Sequence, residues 1–132
     1  MISAPLRWRS LWLILGWLLV LFIVYESLTP TPVEIDVEQG DKLGHIAAYL
    51  ALMSWFANIY EETGERVLCA LGCITLAVGL EFAQRLTATR TFDIADMAAG
   101  AVGVLAGWLL APPRLPNYLR LAERLFDARR NV

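Results

Sequence analysis

The chain has 132 residues, of which 58% are hydrophobic and 18% charged, with a mean hydropathy of +0.53 and a formal net charge of −2. An ordinary soluble domain is about 45–50% apolar, so the length allows one domain and the composition argues against a conventional water-soluble one. The small net charge carries no partner signal, because the charges are segregated by position, and no nucleic-acid partner is expected.

Four apolar segments read as membrane spans. The first, residues 11–25 ("LWLILGWLLVLFIVY"), is uncharged and extends to Leu28 if Glu26 sits at an interface. Arg7 and Arg9 precede it as they would a signal peptide, but "YESLTPTP" lacks a small-x-small cleavage pattern, so an uncleaved span is expected. The second, residues 43–60, carries His45, the chain's single histidine. The third, residues 67–80, is short and reaches spanning length only by including Glu81 to Ala83; the fourth, residues 94–111, is interrupted by Asp96 alone. A bilayer core takes about 20 apolar residues, with a range of about 17–25, which the second and fourth segments meet unaided. Buried helices of a soluble protein are the alternative, but four such runs leave too little polar chain to cover them. Cys69 and Cys73 fall in the third segment and read as small packing residues, not a disulfide framework.

Positive residues orient such a bundle. With the N-terminus inside, Arg7, Arg9, Arg66, Arg114, Arg120, Arg124, Arg129 and Arg130 are cytoplasmic, and Lys42, Arg85 and Arg90 are outside. The expected fold is therefore all-α: an integral membrane four-helix bundle over residues 1–111 with both termini cytoplasmic, followed over residues 112–132 by a basic amphipathic tail. In that tail Tyr118, Leu119, Leu121, Ala122, Leu125 and Phe126 form an apolar side suited to lie on the anionic inner leaflet.

Alternating spans bring the start of the second, the end of the third and the start of the fourth to one side, whichever way the chain inserts. Asp41, Lys42, His45, Glu81, Gln84, Arg85, Arg90, Asp93 and Asp96 should converge there. Asp41, His45 and Tyr49 share one helical stripe, and Glu81, Gln84 and Arg85 another, backed by Ala70, Cys73 and Ala77. Asp93, Asp96, Gly100, Gly103 and Gly107 trace a single seam whose G-x-x-x-G pair permits close helix approach.

Plainer explanations exist for some of these. Asp41 and Asp93 each precede a helix and read equally as caps. Lys42, Arg85 and Arg90 read individually as snorkelling cations, and Tyr49, Trp8, Trp12 and Trp108 as interfacial anchors. Glu81 and Asp96 resist such accounts: a carboxylate at membrane depth costs about 2.5–3.5 kcal/mol on the lenient scale. Arg85, Arg90 or His45 is the expected counterpart, in a site or in a structural ion network.

The elements "SLTP", "DKLGHIAAYL", "EFAQ" and "RTFDIADMAAGAVG", in this order across residues 20–110, resemble the VanZ-like family of small bacterial membrane proteins, named for a member associated with teicoplanin resistance. The resemblance implies a multi-pass protein of the bacterial cytoplasmic membrane and a cell-envelope role. It gives Asp41, Lys42, His45, Tyr49, Glu81, Gln84, Arg90, Asp93 and Asp96 the family's signature positions. One departure is Gly100, where members often carry Asn.

The expected function is recognition of an anionic lipid or lipid-linked cell-wall precursor headgroup. Asp41, Lys42, Tyr49, Gln84, Arg85, Arg90 and Asp93 are the candidate ligand-binding residues. The alternative is a membrane-embedded acid–base hydrolase or transferase using His45, Glu81 and Asp96. No cofactor is indicated. His45 and the carboxylates have metal-ligating chemistry, but their spacing along the chain is not diagnostic and no metal is assigned. A third reading is a scaffold whose glycine seams form homo- or hetero-oligomers.

Overall fold

The computed structural model describes residues 5–33 and 36–130, so Glu34 and Ile35 of the acidic connection after the first segment lie outside the described residues. The described chain is all-α, with five helices and no strand: α1 (Arg9–Leu28), α2 (Gly40–Ile59), α3 (Thr63–Gln84), α4 (Ile94–Leu109) and α5 (Tyr118–Arg130).

Helices α1 and α3, of 20 and 22 residues, are long and apolar enough to cross a membrane. This reverses the expectation that the second and fourth segments are the self-sufficient ones. α3 gains a polar first turn from Thr63 and runs on through Gln84, whereas α4 stops after 16 residues, just before Pro112 and Pro113. α2 is long enough, but Asp41, Lys42, His45 and Asn58 dilute it.

The helix ends follow local chemistry. α1 stops at an extended Thr29 followed by Pro30. Asp93 caps α4 by accepting from the Ala95 N–H at 2.8 Å. Asp41, expected to do the same for α2, does not: the helix begins at Gly40 after a left-handed Gln39 (φ 58°), and Asp41 lies inside its first turn. There it still meets the positive end of the helix dipole.

α2 is the central element and touches every other helix. Tyr49, Leu52, Met53, Phe56 and Ala57 bury its length. Its closest partner is α4, along the expected glycine seam. A Cβ on Gly103 would lie 2.5 Å from the Ile46 carbonyl oxygen, and one on Gly107 would lie 2.6 Å from that of Leu50. The seam is therefore consumed inside the chain and leaves nothing of this pair for an oligomer. Further along the same seam, where α3 also closes in, a Cβ on Gly100 would come within 3.0 Å of Ala77 and 3.2 Å of the Tyr49 ring, so an Asn there would require α3 or Tyr49 to shift. Cys73 and Ala77 are buried, as their size suggests, and both cysteines are free thiols. Large apolar side chains on α1 (Ile14, Trp17, Leu18, Leu21, Phe22), α3 (Leu68, Leu71) and α4 (Val102, Leu105) face outward.

The C-terminal helix is not simply an apolar side laid on a lipid surface. Asn117 accepts from the Leu119 and Arg120 N–H groups, starting α5, and donates to the Asn58 carbonyl. Glu123 then accepts from the backbone N–H groups of Arg7 and Trp8 and from the Trp12 indole, closing the start of α1. Burial pushes the Glu123 carboxyl up, but these donors outweigh it and hold the group below its usual range. Leu119 is buried, while Leu121, Leu125 and Phe126 stay exposed. Of the tryptophans expected as interfacial anchors, Trp12 is buried instead, whereas Trp8 is half-buried and packs against the exposed Phe126 with ring centroids 5.4 Å apart.

Candidate functional site

Three helix ends meet at one pole of the bundle. The start of α2 brings Asp41, Lys42 and His45, the end of α3 brings Glu81 and Gln84, and the start of α4 brings Asp93 and Asp96. The convergence expected from alternating helices is present.

Lys42 is the hub. Its Nζ lies 3.0 Å from Asp93, 3.2 Å from Asp41 and 3.3 Å from Asp96. It is thus committed to three carboxylates and is not a snorkelling cation. The Ala95 N–H and then the Lys42 ammonium hold the Asp93 carboxyl below its ordinary value of 3.8. A depressed carboxylate stabilises the fold above its unfolded pKa, and that contribution disappears as pH falls through the lowered value. Lys42→Met should therefore lower the melting temperature at pH 7, and the gap to wild type should close below about pH 4. A pH series of thermal melts in detergent checks this; a gap unchanged down to pH 3 would count against the pairing.

Behind Lys42 the site becomes drier. His45 Nε2 lies 3.5 Å from Asp96 Oδ2, and its ring stacks parallel to Tyr49 with centroids 6.5 Å apart. Tyr49 is 1% exposed, so it forms the floor and is not an interfacial anchor. Glu81, also 1% exposed, accepts the Asp93 N–H and thereby ties α3 to the start of α4. Gln84 donates to the Ser27 carbonyl at 2.8 Å, which fastens α3 to the end of α1. That bond is structural, and Gln84 is absent from the cleft lining.

Above this floor opens a cleft of about 620 Å³ between the end of α1, the following connection and the start of α2. Phe22, Ile23 and Val33 supply its apolar wall; Glu26, Asp41, His45, Arg90 and Asp96 supply its ionisable groups. Arg90 makes no ion pair among the described residues. Arg85 departs from expectation: it is exposed, lies over the Phe92 ring at 5.8 Å and pairs with neither Glu81 nor the cleft. Glu26 is the residue that the sequence reading missed as a site group. It also accepts the Val33 N–H, folding the connection over the cleft, and the available signal was a carboxylate near the end of a helix whose other charge is Arg9 at its start.

Among the described residues, two sets of side chains have metal-ligating proximity. One atom each from His45, Glu81 and Asp96 lie within 4.8 Å of one another, and the same holds for Asp41, Asp93 and Asp96. The Lys42 ammonium already occupies the second set.

No family model, curated protein or solved structure matches the chain.

Proposed function

We propose that the chain is a multi-pass protein of the bacterial cytoplasmic membrane, VanZ-like in character, with both termini cytoplasmic. Its outward cleft receives the headgroup of an anionic lipid or lipid-linked cell-wall precursor, a role that would link it to glycopeptide susceptibility. Outward apolar side chains on α1, α3 and α4, together with two helices of spanning length, support the bilayer setting. The arginines flanking the opposite pole support the orientation.

The observation that carries the headgroup reading is the cleft itself: one unpaired arginine, carboxylates and an apolar wall in a single concavity. Arg90 meets phosphate, Glu26 and Asp41 accept from hydroxyl or amine groups, and Phe22 and Ile23 face the first carbons of an acyl or prenyl chain. Anion recognition rests on Arg90 alone, because Lys42 is held by carboxylates and Arg85 lies elsewhere.

A charge-assisted hydrogen bond contributes about 1.5–3 kcal/mol, so Arg90→Glu should weaken phosphatidylglycerol binding at least about tenfold. Arg85→Glu should change it little. Native mass spectrometry of purified protein against phosphatidylglycerol and phosphatidylcholine reads both, and equal effects of the two variants would reject the reading. The His45–Asp96 contact favours the acid–base alternative. Under that reading, His45→Ala abolishes turnover of a bound lipid while leaving its binding intact.

A further inference from the structure

We infer that His45, Glu81 and Asp96 form a three-ligand site for a divalent transition metal ion, with Zn²⁺ the best match, at the floor of the cleft. The three side chains come from α2, α3 and α4, and one ligand atom from each falls within 4.8 Å of the others. Zn²⁺ bound at about 2.0–2.2 Å by imidazole nitrogen and carboxylate oxygen needs donors gathered on this scale. A nitrogen ligand beside two carboxylates suits zinc better than magnesium or calcium, which favour all-oxygen sets. Three protein ligands also leave a coordination position open, and here His45 and Asp96 line the cleft, which supplies both an entry path and room for a fourth group.

Two further observations separate this set from a chance cluster of acids. The first is orientation. Asp96 Oδ1 is held by Lys42 at 3.3 Å while Oδ2 is the oxygen near His45, and Glu81 Oε1 is held by the Asp93 N–H. Metal-ligating carboxylates are commonly fixed in this way by outer hydrogen bonds. The second is charge. Glu81 is 1% exposed, and among the described residues its carboxylate accepts only that single N–H, with no cation in ion-pair range. Asp96, also buried, shares Lys42 with Asp41 and Asp93. Apart from the titratable His45 ring, two buried carboxylates thus face only a share of the Lys42 charge, an arrangement that a divalent cation offsets. The neighbouring Asp41–Asp93–Asp96 set serves as an internal contrast, because Lys42 fills it.

The inference is independent of the headgroup reading, since the ion binds whether or not a lipid does. The test uses the full chain in detergent, free of any purification tag and stripped with chelator, with no lipid added. Equilibrium dialysis against buffered Zn²⁺ should give one ion per chain. His45→Ala and Glu81→Gln should each weaken binding at least about tenfold, while Glu65→Gln, near the opposite end of α3, should leave it unchanged. A second measurement needs no variant. His45 is the only histidine, so diethylpyrocarbonate modification read at 240 nm reports that ring alone, and Zn²⁺ should suppress it where Mg²⁺ does not. Absence of stoichiometric zinc, or binding that neither His45→Ala nor Glu81→Gln alters, overturns the site. Equal protection by Mg²⁺ overturns the choice of metal class.

Discussion

Alanine at Gly103 and Gly107 together is expected to leave little folded protein, whereas alanine at Gly72 and Gly79 is expected to leave stability unchanged or slightly raised. All four glycines lie within helices, so their intrinsic propensities are alike, and alanine gains about 0.8–1.0 kcal/mol at each on that ground alone. Their surroundings differ. A Cβ on Gly72 or Gly79 meets nothing within 4 Å. On Gly103 it would lie 2.5 Å from the Ile46 oxygen and 3.1 Å from the Leu50 nitrogen; on Gly107 it would lie 2.6 Å from the Leu50 oxygen and 3.0 Å from the Ser54 nitrogen. These are backbone atoms of a helix, so no rotamer change relieves the clash and α2 and α4 must separate. Overpacking costs typically about 1–3 kcal/mol per site, occasionally more, and the two sites act on one interface. The separation also pulls Asp96 on α4 away from Lys42 and His45 on α2, so zinc and lipid binding should fall with stability. Thermal melts in detergent decide the matter: equal midpoints for Gly103→Ala and Gly72→Ala would show that the helices do not approach this closely.

That seam was legible because a G-x-x-x-G spacing in an apolar helix has few other uses, and it continues into Asp96. The convergence at the pole was legible for a similar reason. Alternating helices determine which ends share a side, so a stripe at the start of α2 and another at the end of α3 were bound to meet. The pairing within the pole was less so. Glu81 and Arg85 are four apart at the end of α3, but the helix stops at Gln84; Arg85, the residue just past it, turns to Phe92, and Glu81 takes a backbone N–H from across the site. Lys42 and Arg90 look equally basic in a string of letters, but only the fold commits one to carboxylates and leaves the other on the cleft. Tyr49 and Trp12 show the same limit: an amphipathic ring near a helix end suits an interface and a buried floor equally well, and neighbours decide. Glu123 was hidden more thoroughly, because its partners are backbone donors of Arg7 and Trp8, more than a hundred residues away.

Arg66 is the other position where a large loss is expected, and one whose sequence signal misleads. The positive-inside rule reads it only as a charge on one side of a membrane, a role in which lysine serves equally. In the fold it is 7% exposed and its guanidinium reaches three carbonyl oxygens: Nη2 donates to Ala57 and Nε to Tyr60, at 2.8 and 2.9 Å, and Nη1 donates to Pro112. The last turn of a helix leaves carbonyls without intrahelical donors. At the end of α2, the Tyr60 N–H serves Phe56, Arg66 serves Ala57, and Asn117 serves Asn58. Arg66 therefore closes α2 while tying it to α3 and to the segment after α4, and its charge complements the negative end of the α2 dipole. Arg66→Met keeps the stem and deletes every donor. The bond to Ala57 is buried and those to Tyr60 and Pro112 are partly buried; a buried carbonyl left unsatisfied costs roughly 1–3 kcal/mol and a half-buried one less, which places the loss at about 2 kcal/mol or more. Arg66→Lys should recover only part of it, because a point ammonium cannot span three acceptors as a planar fork does. Reversible denaturant titration in detergent should order the proteins as wild type, then lysine, then methionine. Full stability of the lysine variant would reduce Arg66 to the charge marker that its sequence position suggests.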